Sequence, residues 1–345
     1  MNNRSGSTLP IVLAVTAVLA LVFLTTLEAV HALRDEARRA GDEVRLRADA
    51  LTLEAQISFT AATSAVDRQS LLLTPALTAE ESDALEPDLP PGLRDDVRRI
   101  RIDGRPYRIA VGDRTYVARI QDGAGLINPN YLGDFERRAL MALLGASEND
   151  QGIFADRIAD YIDPDDPLRP SGAERSDYER AGLAPPPNQR LFSADQLFGV
   201  LGFADVVDHR TWREMQAFIA PNPTSATANV NTAPAEVLMA LYGLSRPQAE
   251  QAIQLRETLP FSSMDDFVTT VGVGQNLDVI RDDTLPNLRY HVRIVDRRSR
   301  QAATFVLTST PSSGDRPFWV EGRRIMTVAA AEMVSESELE IFPRP

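Results

Sequence analysis

The chain contains no cysteine and no lysine. Without cysteine there is neither a disulfide framework nor thiol catalysis, and redox usage says nothing about compartment. Without lysine every basic side chain is an arginine, and carboxylates outnumber them, leaving a formal charge of -13 and a pI near 4.8. That balance argues against a general affinity for nucleic acid or anionic lipid and suits a soluble domain held off a membrane. Histidine is also scarce: His31, His209 and His291 stand outside any H-E-x-x-H or G-x-S-x-G frame, so no catalytic residue is assigned. Gly272-Val273-Gly274 is a lone G-x-G without a phosphate-loop context and reads as a turn.

What the chain does have is one long apolar run. After MNNRSG, Leu9 to Leu27 carries no charge until Glu28. As a helix this stretch rises about 28 Å, close to the roughly 30 Å hydrocarbon core of a bilayer. A secretory signal peptide would have a more basic leader than Arg4 alone and a shorter core ending at a small-residue cleavage site. One membrane span over residues 7–27 is therefore expected. Orientation is weakly signalled, because Arg34, Arg38 and Arg39 beyond the span compete with Arg4 before it.

The polar leader ending in Gly6, with the apolar helix directly behind it, resembles the start of type IV pilin-like proteins. That resemblance implies a leader of residues 1–6, cut by a prepilin peptidase between Gly6 and Ser7. Cutting there places Pro10 in the first helical turn, where a missing N–H costs nothing. The fifth mature residue is then Ile11, where most pilins carry Glu. Its absence resembles one subclass, the K-type minor pseudopilin of type II secretion, placed at the filament tip. An ordinary signal anchor with an incidental glycine is the alternative.

Beyond the span, Val30, Leu33, Ala37, Ala40, Val44 and Leu51 keep a three-four spacing opposite a charged face, so the helix is predicted to continue over residues 28–66. Gly41 is its weak point. The stripe suits either a coiled-coil stalk or, on the pilin reading, a helix laid against a sheet. Residues 73–96 are acidic and proline-rich and read as loop. The following stretch, residues 97–127, contains three strand-like runs separated by Asp103-Gly104 and Gly112-Asp113, both hairpin signals. A second strand-rich region occupies residues 286–330, and residues 331–345 read as an acidic tail. The fold class expected is α+β: an N-terminal helix and an antiparallel sheet split by a helical insertion.

The insertion, residues 128–285, contains a repeat: Asn128-Pro129-Asn130 precedes LMALLG at 140–145, and Asn229-Val230-Asn231 precedes LMALYG at 238–243. Asn suits helix entry, and Gly145 and Gly243 suit left-handed helix ends. The later copy resembles a helix-hairpin-helix (SAM-like) module, but its turn, Gly243-Leu244-Ser245, lacks the second glycine, and the charges around it are mixed. Phosphate binding needs positive potential, so a packing role is preferred.

Four motifs in order, VARIQDGAGLINPNYL, IADYIDPDDPLRPSGAERSDYERAGLAPPPN, the NVNTAP segment and PFSSMDDF, resemble the successive signatures of the general secretion pathway protein K family. One departure is Gly123, where family members more often have an acidic residue. The resemblance implies a minor pseudopilin that initiates and caps a short periplasmic filament, anchored in the bacterial inner membrane. It implies partners among the I- and J-type minor pseudopilins and the major pseudopilin. It also raises calcium as a ligand of the proline-bounded acidic loop, with Asp163, Asp165, Asp166 and Glu174 as candidates. Asp163, Asp165 and Glu174 occupy the first, third and twelfth places of an EF-hand frame, but Pro167 and Leu168 break it. An acidic solvated loop is the alternative. The rival functions are a membrane-tethered nucleic-acid receptor and a calcium-dependent hydrolase.

Overall fold

The computed structural model describes residues 8–73, 98–165, 167–222, 224, 228–273, 284–310, 313, 315–328 and 339–343. It opens with a single helix, α1 (Thr8–Thr63), whose apolar start contains an 18-residue window of mean hydropathy 2.4, long and apolar enough to cross a membrane. The helix ends short of the expected Val66. There the chain turns into β1 (Ala65–Val66), which pairs antiparallel with β2 (Ser70–Leu73), and β2 with β3 (Arg98–Arg101). Residues 74–97, most of the stretch read as loop, lie outside the described residues.

The main sheet contains β4 (Asp103–Val111), β5 (Arg114–Asp122), β6 (Arg289–Asp296), β7 (Gln301–Ser309), β8 (Phe318–Thr327) and β9 (Glu340–Ile341), in the order β8-β7-β6-β5-β4-β9. Gly112-Asp113 makes the predicted tight turn, with Gly112 at φ +58° and Val111 paired to Arg114. Asp103-Gly104 does not. It lies inside β4 at a break in register, Gly104 has φ +79°, and β3 pairs away from β4 in the small sheet. A glycine at positive φ here bends one strand instead of reversing it. The expected three-strand meander is thus a hairpin plus a strand of another sheet. The described part of the supposed acidic tail is also structured: β9 runs parallel to β4, and Phe342 is buried with its ring edge-on to Tyr107 at 5.7 Å.

β5 and β6 are hydrogen-bonded neighbours, Ile120 facing Val292, although the whole helical insertion separates them in sequence. The split sheet is as the sequence predicts. Its α1-facing side carries Tyr116, Ala118, Ile120, Val292, Ile294 and Phe305, which pack with Leu46, Leu53 and Ile57 of α1 into one core. The insertion has its own core, built on Leu140, Phe154, Tyr178, Phe203, Leu238 and Phe267.

Within the insertion the helices are α2 (Asp134–Leu143), α3 (Glu148–Ile162), α4 (Arg175–Arg180), α5 (Phe203–Val206), α6 (His209–Met215), α7 (Ala235–Tyr242), α8 (Arg246–Thr258) and α9 (Met264–Val271), among the described residues. The two repeats have the same local form. Leu-Met-Ala-Leu closes α2 and lies within α7, followed by Gly145 and Gly243 at φ +83° and +64° and by Ser147 and Ser245, which cap α3 and α8. Asn128 and Asn229 each accept from the backbone N–H two residues on. Each repeat is thus a helix, a glycine at positive φ and a capped second helix.

Candidate functional site

The insertion is joined to the sheet by a buried carboxylate. Asp122, the last residue of β5, has no exposed surface. One oxygen accepts the N–H of Ala124 at 3.1 Å and of Asn287 at 3.3 Å, and the other accepts from Asn229 Nδ2 at 3.0 Å and Thr232 Oγ1 at 2.8 Å. The segments just before and just after the insertion and its NVNTAP stretch thus converge on one side chain. Burial pushes its pKa up to about 6, against the pull of Thr232 and the other donors. Around it, Asn231 donates to the carbonyls of Phe261 and Thr284, and the nearly buried Arg256 donates to those of Val230 and Ala233 at 2.7 Å. The NVNTAP segment is the hub of a hydrogen-bonded joint. The reading of its Asn residues as helix entry does not hold: α7 begins after Pro234 without a side-chain cap, and Asn229 and Asn231 bond to Asp122 and to the carbonyls of Phe261 and Thr284.

The acidic loop is held by an arginine. Arg169 reaches the carboxylates of both Asp160 and Asp163, and the fully buried Asp160 also accepts the N–H of Ala173 at 3.1 Å. Glu174 caps α4 reciprocally with Asp177, and Asp165 is exposed. Asp166 lies outside the described residues. Among those described, no three His, Asp or Glu side chains converge as metal ligands would. Among the described residues, the carboxylates of Asp160 and Asp163 are bridged by Arg169.

The hairpin at Gly243 packs inward. Val237, Leu238, Leu241 and Leu244 are buried, Ser245 and Gln248 form a capping box, and Arg246 pairs with Glu236 at 3.2 Å across the turn. The first-turn N–H groups and the nearby arginine are thereby engaged within the fold, which favours the packing role over phosphate binding. His31 lies on α1, His209 starts α6 and His291 lies in β6. Gly272 ends α9 at φ +73°, while Gly274 is outside the described residues, as are Gly6 and Ser7.

α1 carries an exposed apolar surface beyond its first turns, among the described residues. The predicted apolar stripe does not face the sheet: Leu33, Val44 and Leu51 are 65%, 68% and 57% exposed. The side against the sheet is Leu46, Ala50, Leu53, Ile57 and Ala61. Val44, Ala48, Leu51, Ala55 and Phe59 repeat that same spacing two residues earlier or later, about 200° around the helix, and all are exposed. So α1 has two apolar faces beyond the membrane span, one satisfied by the sheet and one not. Of the charged residues opposite that stripe, Asp42 is tied to Arg114 of the sheet at 3.1 Å, and further along α1 Glu54 pairs with Arg323 at 2.7 Å.

Comparison with known proteins bears on this architecture. Residues 122–220 and 228–285 each match a family model described as type II secretion system (T2SS), protein K. The type II secretion system protein K of Pseudomonas aeruginosa (strain PAO1) is 30% identical over 172 residues, covering 47% of this chain and 50% of the relative. The chain thus matches about half the length of that curated relative. A chain of the crystal structure of the GspK-GspI-GspJ complex from the enterotoxigenic Escherichia coli type 2 secretion system is similar at TM-score 0.49 and 14% identity. That match covers 86% of this chain and 99% of the other. The first family match begins at Asp122 and the second contains Asn229 and Thr232, so the joint described above, Asn287 apart, lies within the matched segments. Both segments, in succession across the inserted domain and the joint at its start, are thus similar to the type II secretion system protein K family.

Proposed function

We propose that this chain is a minor pseudopilin that initiates and caps the periplasmic pseudopilus of a type II secretion system, in protein export across the outer membrane. It is an assembly protein and not an enzyme, anchored in the inner membrane by the start of α1 with its remaining domains in the periplasm. Its partners are the I- and J-type minor pseudopilins and the major pseudopilin.

The observation that carries this reading is the second apolar face of α1. A helix exposing Val44, Leu51 and Phe59 in line with its membrane-spanning part is built to pack against another apolar helix. Isolated exposed leucines need no explanation, but a regular stripe of them does. Leu51→Asp combined with Phe59→Asp places charge on that face without touching the sheet-facing core. Co-purification with the I- and J-type pseudopilins is expected to fall at least roughly tenfold, with melting of the purified chain altered by less than about 0.5 kcal/mol. Undiminished co-purification overturns the proposal.

Processing belongs to the same reading. Mass spectrometry of the chain from cells with an active prepilin peptidase is expected to find Ser7 at the N-terminus, and Gly6→Val to abolish that cut. Retention of residues 1–6 in the unsubstituted chain refutes it.

A further inference from the structure

β8 ends the strand order of the main sheet, with β7 as its one neighbour among the described residues. The hydrogen bonds at its two ends show which backbone groups are spent on β7. The Thr310 N–H donates to the Pro317 carbonyl at 2.7 Å, and the Val328 N–H donates to the Arg300 carbonyl at 2.9 Å. Alternation from these two points turns the backbone groups of Trp319, Glu321, Arg324 and Met326 toward β7. Those of Phe318, Val320, Ile325 and Thr327 point outward. The change of parity between the two halves comes from the register shift opposite Thr304 and Val306, where Gly322 has φ +64°. It keeps Phe318, Val320 and Ile325 on one side of the sheet, where they pack at the margin of the α1 core. The irregularity thus serves the core and leaves the strand edge open.

Free charges along an edge strand are a common defence against further pairing. Here the charges are drawn inward: Glu321 pairs with Arg289, Arg323 with Glu54 of α1 at 2.7 Å, and Arg324 with Asp195 at 3.0 Å. Beside them Trp319 is 51% exposed, with the Arg316 guanidinium 4.7 Å from its ring centre. Tryptophan is among the residues that most often anchor interfaces.

We propose that the outer edge of β8 takes up an extended segment of a different polypeptide as an added strand, with apolar side chains at alternate positions on the α1 side. A row of outward N–H and C=O groups in strand conformation is the template on which such a segment pairs. The alternation follows from Phe318, Val320 and Ile325, whose outer flanks are covered by every second side chain of the incoming strand. The intervening side chains fall on the side of Trp319. A second copy of this chain is the wrong occupant. Antiparallel pairing of two β8 edges places a two-fold axis normal to the sheet. α1 runs along the strands in the same sense as β5, since Asp42 meets Arg114 and Asp49 meets Tyr116. That axis would point the apolar starts of the two helices in opposite directions, and one bilayer cannot take both. Only this exclusion rests on the membrane anchorage proposed above.

The test uses the full chain in a neutral detergent and fluorescence anisotropy of a fluorescein-labelled peptide, Lys-Thr-Val-Ser-Ile-Thr-Val-Lys. One control is the same peptide N-methylated at every internal residue; the other, Lys-Thr-Ser-Thr-Val-Ile-Val-Lys, keeps the composition and loses the alternation. Saturable binding is expected, at least about tenfold tighter than to either control. Amide hydrogen exchange in the free chain is expected to be fast at Phe318, Val320, Ile325 and Thr327 and slow at Trp319 and Met326. The peptide is expected to slow the outward amides at least about tenfold. Thr327→Pro removes one outward N–H at an exposed position without touching a bond to β7. It is expected to weaken peptide binding by about three- to tenfold, the worth of one hydrogen bond, with melting unchanged. The proposal is overturned by absence of saturation at millimolar peptide, by equal binding of either control, or by unchanged exchange at the outward amides. Slow exchange at those amides in the free monomeric chain overturns it in favour of the chain's own residues 329–338. A dimer dissociated by Thr327→Pro overturns it in favour of a second copy. No other secretion component enters these measurements, so their outcome is separate from that of the function proposed above.

Discussion

Asp122→Ala is expected to destabilise the folded chain by about 3–5 kcal/mol, because it removes the acceptor for four donors in a site without water access. Part of the loss is offset by no longer burying a carboxylate, which is why the figure is well below the sum of four separate penalties. The same group should leave a signature in pH. Its folded pKa of about 6 is above the ordinary 3.8, so between those values the native chain holds a proton that the unfolded chain has released. This contribution is therefore full below about pH 4 and is lost as the pH rises through about 6. Asp122→Asn keeps an oxygen for Ala124 and Asn287 but sets an amide against Asn229, and it cannot titrate. Denaturant unfolding of both proteins from pH 4 to 7 should give a stability difference that changes with pH in that window. Parallel pH profiles would contradict the assignment.

Gly172→Ala is expected to be comparably severe, roughly 3 kcal/mol or more. An added Cβ would lie 1.7 Å from Asp160 Oδ2, and that carboxylate has no room to withdraw because Asp160 is fully buried and held by Arg169 and Ala173. The strain is steric and not conformational, since Gly172 is absent from the positive-φ positions. Either Asp160 leaves its partners, exposing a buried charge to loss of pairing, or the loop at 163–174 shifts off α3. Thermal melting should fall by several degrees. Proteolytic cleavage near Arg169 should accelerate in the variant; an unchanged melting curve would show that the loop yields freely.

The parts of this fold legible in the sequence were those fixed by local chemistry. The apolar run made a helix, Gly112-Asp113 made a turn, and Gly145 and Gly243 ended helices at positive φ. The misreadings came where tertiary partners decide. A three-four spacing identifies an apolar face of α1 but not which of two such faces meets the sheet. Val44 and Leu51 were visible, whereas Leu46 and Leu53 were hidden among arginines and acids that turn out to pair with the sheet's rim. Asp103-Gly104 has hairpin composition, yet Arg105 folds back onto Asp103 at 2.7 Å and the strand runs on. In the acidic loop the pairing of Arg169 with Asp160 and Asp163 depends on how the loop folds back, which spacing alone does not give. The joint around Asp122 was the least legible, because its four donors come from three separate stretches of chain.

The adjacency of β5 and β6 has a consequence for how the chain reaches its fold. Pairing them directly would require closing a loop of residues 123–288, but closure entropy grows only logarithmically, about 0.6 kcal/mol for each doubling of length. Roughly four doublings beyond a ten-residue loop therefore add only about 2.5 kcal/mol. If the insertion collapses first on its own core, Asp122 and Asn287 are brought together by that collapse, and the two halves of the sheet meet as though joined by a short turn. The sheet's topology is then insensitive to how large the insertion is, so this position can accept or lose helices over evolutionary time while the strands on either side keep their register.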